Sequence, residues 1–130
     1  MSSRREFVKK SALLGAGITL APQISLAENT FSTKEKLNIG LIGVGLRGTN
    51  HLTNILYRND CNITAICDID PRRNEIALGL ISKAGWTKPQ VFDKNEYDYR
   101  NLLELENVDA VIISTPWLWH TRMAKDAMKA

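Results

Sequence analysis

Cysteine is scarce in this chain, and its only two copies, Cys61 and Cys67, cannot serve each other. Asn62 to Cys67 reads as a strand, and six residues of nearly extended chain put the two thiols roughly 20 Å apart, beyond the reach of a disulfide. A disulfide framework is therefore excluded as the source of stability. Cys67 reads as a semi-buried thiol and Cys61 as a loop residue. Histidine is as sparse: His51 and His120 make no zinc-ligand spacing with the cysteines, so no metal site is expected. Excess positive charge is also missing from the part that should fold. The chain carries +3 overall, but Arg4, Arg5, Lys9 and Lys10 against Glu6 account for all of it, and from Glu28 onward thirteen basic residues face thirteen acidic ones. Nucleic acid and acidic membrane surfaces are accordingly not expected as partners. Long apolar runs are absent too. Ser11 to Pro22 offers twelve weakly apolar residues with two glycines, too short for the roughly 20 residues of a stable membrane span.

What stands at the start reads as a processing signal. Ser3-Arg4-Arg5-Glu6-Phe7-Val8-Lys9 precedes that apolar stretch, and Ser25-Leu26-Ala27 presents small residues where a signal peptidase reads. The run resembles the twin-arginine motif S-R-R-x-F-L-K, with Val8 in place of the usual leucine. Residues 1–27 are expected to be a cleaved leader, with the twin-arginine export machinery as partner and a periplasmic or extracellular destination. That route carries proteins already folded, which suits a domain that must collect a nucleotide inside the cell. Residues 28–36 are polar and without period, and read as a linker.

From Leu37 short apolar runs alternate with helical patterns. Strands are predicted at Leu37–Gly43, Asn62–Cys67, Val91–Phe92 and Ala110–Ser114, and helices at Arg47–Tyr57, after Asp70, at Tyr99–Leu105 and at His120–Lys129. Asp70 before Pro71 is a favoured cap and first helical position. Continuous apolar strands joined by helices predict an α/β fold, a Rossmann-type doubly wound parallel sheet covered on both faces. The pattern stops at Ala130, before the further strand and second half such folds use, so residues 37–130 read as an incomplete nucleotide-binding domain, the front of a longer protein.

Gly43-Val44-Gly45-Leu46-Arg47-Gly48 places G-x-G-x-x-G between the first strand and its helix. Gly43 permits the tight turn, Gly45 lets backbone approach a pyrophosphate, and Gly48 lets helix and strand pack closely, with the helix N-terminus facing the negative charge. An acidic residue should end the second strand to bond the adenosine ribose. Asp68 follows Cys67 directly, and Asp70 is its rival but already serves as a cap. A carboxylate there repels a 2′-phosphate and favours NAD over NADP, although Arg72 and Arg73 stand near enough to pair with one. After the fourth strand, Thr115-Pro116-Trp117-Leu118-Trp119-His120 should line the crevice. Its tryptophans read either as a wall against the dinucleotide, with His120 adding a polar contact, or as a hydrophobic plug or contact with a further domain.

Gly43 to Gly48, Cys67 to Pro71 and Asp109 to His120 together resemble the Gfo/Idh/MocA family of NAD(P)-dependent oxidoreductases acting on sugars and cyclitols. The Trp-x-Trp-His run, with Gly45-Leu46-Arg47-Gly48 and Lys94 to Arg100, is similar more narrowly to glycoside hydrolase family 109, α-N-acetylgalactosaminidases that use NAD. Leu118 stands where a glutamate is frequent in that subgroup. The resemblance implies cofactor contacts from Leu46 and Arg47, from Asp68, and from Trp117, Leu118, Trp119 and His120. It also implies a small-molecule or glycan substrate, and a mechanism in which a hydride leaves the sugar, the substituent at C1 is eliminated, water adds, and the hydride returns. The catalytic base and sugar contacts would then lie past Ala130. A net sugar or cyclitol oxidoreductase and a non-catalytic nucleotide-binding module remain alternatives, and the oligomeric state stays open.

Overall fold

A computed structural model of the protein describes residues 36–130. The expected leader and all of the expected linker but Lys36 lie outside the described residues. β1 (Leu37–Ile42) leads to α1 (Leu46–Leu56), β2 (Cys61–Cys67) to α2 (Pro71–Lys83), β3 (Gln90–Phe92) to α3 (Tyr99–Leu103), and β4 (Ala110–Ile113) to α4 (Trp117–Ala127). The four strands pair in parallel in the order β3-β2-β1-β4. The chain therefore winds outward from β1 to β3 and then crosses to the other side of β1, the strand-order reversal that opens a crevice in doubly wound sheets.

Side-chain alternation along the strands separates two cores. Ile39 and Leu41 of β1 meet Leu52 and Ile55 of α1 and Ala77 and Ile81 of α2, whereas Ile42 faces Tyr99 and Leu102 of α3 and Met123 of α4. Each face of the sheet is thus covered by one helix pair. β2 carries an irregularity that the sequence did not announce. Ile39 pairs with Ile63 but Gly40 pairs with Ala65, so Thr64 is bulged out of register. A one-residue slip reverses which face the side chains meet. Because of it Cys61, Ile63 and Ile66 all join the α1/α2 core, while Ala65 and Cys67 join the α3/α4 core.

Three sequence expectations need correction here. Cys61 is not in a loop: it is the first residue of β2 and 4% exposed, packed in the core as a free thiol. α3 ends at Leu103 rather than Leu105, because Leu105 and Val108 turn back to pack with Leu103 on the same face of the sheet. α4 begins at Trp117, three residues before its expected start. Its first turn shows no buried apolar stripe, since Trp117 and Leu118 are exposed, and so carries no helical period. Pro116, extended at its ψ, delivers the chain into that turn, and its carbonyl accepts from Trp119 N.

The turn from β3 into α3 is pinned by one buried carboxylate. Asp98 is 2% exposed and accepts from Lys94 N at 3.0 Å and from the Asn101 side-chain amide at 2.6 Å. Burial opposes its ionisation, but those donors and the Lys94 charge outweigh it and hold the carboxyl below its ordinary range. Asp98→Ala is expected to cost about 1–3 kcal/mol, since it takes a charged acceptor from two donors that hold the turn. A folded-state value below the unfolded one of about 3.9 means the contribution is complete above that value and is lost as pH falls through the folded one. Denaturant unfolding at a series of pH values should therefore show the gap between wild type and variant steady from neutrality to about pH 5 and shrinking below about pH 4. A gap unchanged into strong acid refutes the linkage.

Candidate functional site

The C-terminal ends of all four strands open onto one cleft of about 460 Å³. Gly43, Gly45 and Arg47 come to it from the β1–α1 turn, and Asp68, Asp70 and Arg73 from the end of β2 and the start of α2. Asn95 and Glu96 follow β3, and Ser114, Thr115 and Trp119 follow β4. The cleft lies where the strand order reverses, as the parallel topology requires.

The β1–α1 turn has the shape that its glycines were expected to permit. Gly43 sits at φ +88°, and a Cβ there would stand 2.8 Å from the Ser114 backbone. A Cβ on Gly48 would come within 2.0 Å of the Gly43 carbonyl oxygen, so this helix-to-turn contact admits only glycine. Gly45 differs: a Cβ there would meet nothing within 4 Å, which leaves the space before it open to a ligand. α1 begins immediately after Gly45 with no side-chain cap and no acidic residue in its first turn. Its leading amides therefore have no partner of their own and face the cleft mouth, where anionic oxygens fit them. Ser114, lining the cleft beside Gly48, has a buried hydroxyl without a hydrogen-bond partner. An open cradle before Gly45, uncapped amides and an unpaired hydroxyl all suit a dinucleotide.

Asp68 stands beside this turn, its Oδ2 accepting from Val44 N at 2.9 Å and its Oδ1 from Asp70 N at 3.0 Å. Asp70 caps α2 through Arg72 N at 3.0 Å and also binds the Arg72 guanidinium in two places, which lowers its carboxyl pKa. Of the two arginines expected near the ribose, Arg72 is thus paired with Asp70, while Arg73 lines the cleft. Cys67 lies at the cleft floor. Burial, followed by the charges of Asp98, Asp68 and Asp93, pushes its thiol up to about 12, which makes it a poor nucleophile at neutral pH.

The four residues after Pro116 divide. Trp119 lines the cleft, packs on the α3/α4 core and meets Tyr97 edge to face at 5.6 Å and 75°, with the Arg122 guanidinium 5.4 Å from its ring. His120 does not line the cleft. Its Nε2–H donates to the Thr115 carbonyl at 2.5 Å, a bond that fixes the turn, and the acceptor being a carbonyl settles which nitrogen carries the proton. Trp117 and Leu118 are 90% and 89% exposed, outside the cleft lining. Leu46 is likewise turned outward at 78% exposure, so what it offers a ligand is its amide. Asn95 and Glu96 were not singled out from the sequence, although the rule that strand-end loops line the crevice applies to β3 as it does to β4. Among the described residues no group of acidic, histidine or cysteine side chains could hold a metal ion, and no helix is long and apolar enough to cross a membrane.

Comparison with known proteins adds the following. Residues 37–130 match Gfo/Idh/MocA, described as an oxidoreductase family with an NAD-binding Rossmann fold. A glycosyl hydrolase family 109 protein of Stenotrophomonas maltophilia is 36% identical over 129 residues, 98% of this chain and 27% of the relative. A protein of Shewanella oneidensis named alpha-N-acetylgalactosaminidase is 34% identical over 144 residues, 98% of this chain and 31% of its own length. The chain thus spans under a third of these relatives. Among solved structures, myo-inositol dehydrogenase of Lactobacillus casei, in complex with NAD(H) and myo-inositol, superposes with a TM-score of 0.62 at 22% identity, covering 73% of this chain and 26% of that one.

Proposed function

This chain belongs to the Gfo/Idh/MocA family, whose NAD-binding Rossmann fold its residues 37–130 form, and from that membership we propose that it serves a glycosidase acting on α-N-acetylgalactosaminides by reversible oxidation of the sugar. The observation that carries the proposal is the identity of about a third, across nearly the whole chain, to relatives named glycosyl hydrolase family 109 protein and alpha-N-acetylgalactosaminidase. Trp119, the one residue of the Trp117–His120 run that lines the cleft, supports it.

Bound NAD supplies reversible hydride transfer, and the protein supplies position and electrostatics. Held in the cleft, NAD would supply a reversible oxidation of the sugar, and the net reaction would be hydrolysis with the cofactor unconsumed, as in the NAD-dependent exceptions to two-carboxylate glycosidases. The residues of this chain bind and orient. The amides of Leu46 and Arg47 would meet the diphosphate at the start of α1, with Gly43, Gly45 and Gly48 allowing its approach. Asp68 would accept from the ribose hydroxyls, and its negative charge disfavours a 2′-phosphate. Trp119 walls the cleft, and His120 locks the turn that carries it.

The family description as oxidoreductases favours one competing outcome, net oxidation of a sugar or cyclitol. The full-length protein, isolated from the periplasmic fraction where its twin-arginine leader should deliver it, is expected to release the aryl group from an aryl α-N-acetylgalactosaminide without net build-up of NADH absorbance. NADH accumulating in step with a free sugar, and no aryl release, would replace hydrolysis by oxidation. Recovery of the activity from the cytoplasm alone would remove export.

A further inference from the structure

Asp68 is held from four sides before any ligand is considered. Its N–H donates to the Phe92 carbonyl of β3 at 3.2 Å, and its carbonyl accepts at 2.9 Å from the side-chain amide of Asn74, a buried residue of α2. Of its carboxylate oxygens, one accepts from Val44 N in the glycine turn and the other from Asp70 N in its own turn, at 2.9 and 3.0 Å. Val44 is wholly buried and lies between the two glycines that shape the diphosphate cradle. Its amide has therefore been taken from water and given a charged acceptor, the stronger kind of hydrogen bond.

We propose that Asp68 is a positioning residue for the glycine turn as well as a ribose acceptor: its carboxylate clamps Val44 N so that the turn presents the leading amides of α1 to the diphosphate whether or not a ribose is present. This rests on the assignment of the cleft to NAD. The two duties are compatible, because an ionised carboxylate has about four acceptor positions and the two amides use only two. The clamp fixes the carboxylate for the ribose in turn, so turn and ribose site are set together. Removing Asp68 then costs more than the ribose contacts, since the diphosphate cradle loosens too.

The test separates the two duties with a ligand that lacks one of them. Wild type, Asp68→Asn and Asp68→Ala of the full-length protein are titrated calorimetrically with NAD and with the NAD analogue carrying 2′,3′-dideoxyadenosine, which offers the carboxylate no ribose hydroxyl. The clamp predicts that both substitutions weaken the analogue as well as NAD, each by tenfold or more. It also predicts that Val44 N–H exchanges with solvent at least tenfold faster in Asp68→Asn, while the neighbouring β1 amides stay protected. Asp68→Asn keeps the side chain's shape, so the test survives if Asp68→Ala does not fold. Analogue affinity unchanged by Asp68→Asn, or a Val44 amide as protected as in wild type, overturns the clamp and leaves Asp68 a ribose ligand only. Wild type that binds neither nucleotide overturns the NAD assignment itself, a different failure.

Discussion

Gly48→Ala is expected to abolish NAD binding and to destabilise the domain severely, whereas Gly45→Ala, three residues away in the same motif, is expected to abolish binding and leave the fold intact. The difference comes from what each new methyl group meets. On Gly48 it would lie 2.0 Å from the Gly43 carbonyl oxygen and 2.8 Å from the Gly43 carbonyl carbon. These are backbone atoms, and Gly43 N is itself tied to the Cys67 carbonyl at 2.7 Å, so the turn cannot move without breaking its anchor to β2. Overpacking against side chains costs about 1–3 kcal/mol, and a clash this deep with fixed backbone belongs at or above the top of that range. On Gly45 the methyl meets nothing within 4 Å. Its cost to folding is that of alanine at a helix cap, about 1 kcal/mol or less, but it fills the space through which a diphosphate reaches the amides of α1. Chemical denaturation and calorimetric titration of the two full-length variants check this. Gly48→Ala as stable as wild type, or Gly45→Ala binding NAD undiminished, would contradict the geometry.

That pair also shows how far the sequence could be read. The glycine roles follow from local backbone needs that any strand-to-helix turn over a diphosphate imposes, so spacing alone predicted which glycines were indispensable. The alternation of apolar runs and helical periods likewise predicted four parallel strands and their covering helices, because burial on both faces leaves a continuous apolar record. Three things had no such record. The bulge at Thr64 changes which face Ala65 and Cys67 meet, yet its residues look like any strand. The first turn of α4 is exposed, so Trp117 and Leu118 lack the periodicity by which a helix is recognised. The bond from Asp68 to Val44 N joins residues 24 positions apart, and only the tertiary arrangement brings them together. Sequence reasoning singled out Asp68 for the ribose; its grip on the glycine turn was invisible there.

Leu102→Ala is expected to cost about 2–5 kcal/mol, and Gly40→Ala introduced beside it is expected to return part of that loss. α3 has only five residues, Tyr99–Leu103, too few to be stable by its own hydrogen bonds, so its place depends on packing. Two wholly buried side chains supply most of that packing, Leu102 and Tyr99, the latter also donating its hydroxyl to Asp126 of α4 at 2.6 Å. Truncating Leu102 empties the space between α3 and β1. A methyl group on Gly40 would point into the same space, 2.8 Å from Leu102 Cδ2 but 3.3 Å and 3.4 Å from the Val111 and Val108 methyls. In wild type the added methyl collides with Leu102, and Gly40→Ala alone should destabilise; once Leu102 is alanine, the collision is gone and the methyl fills part of the void. The two changes are therefore coupled with opposite signs in the two backgrounds, which a double-mutant cycle measures directly. The functional consequence follows from position. The turn that carries Asn95 and Glu96 into the cleft leads straight into α3, so loosening α3 should weaken NAD binding in the single Leu102→Ala variant and restore it in the double. Strict additivity of the two stability changes, or unaltered NAD affinity in a measurably destabilised Leu102→Ala protein, would show that α3 does not set this wall of the cleft.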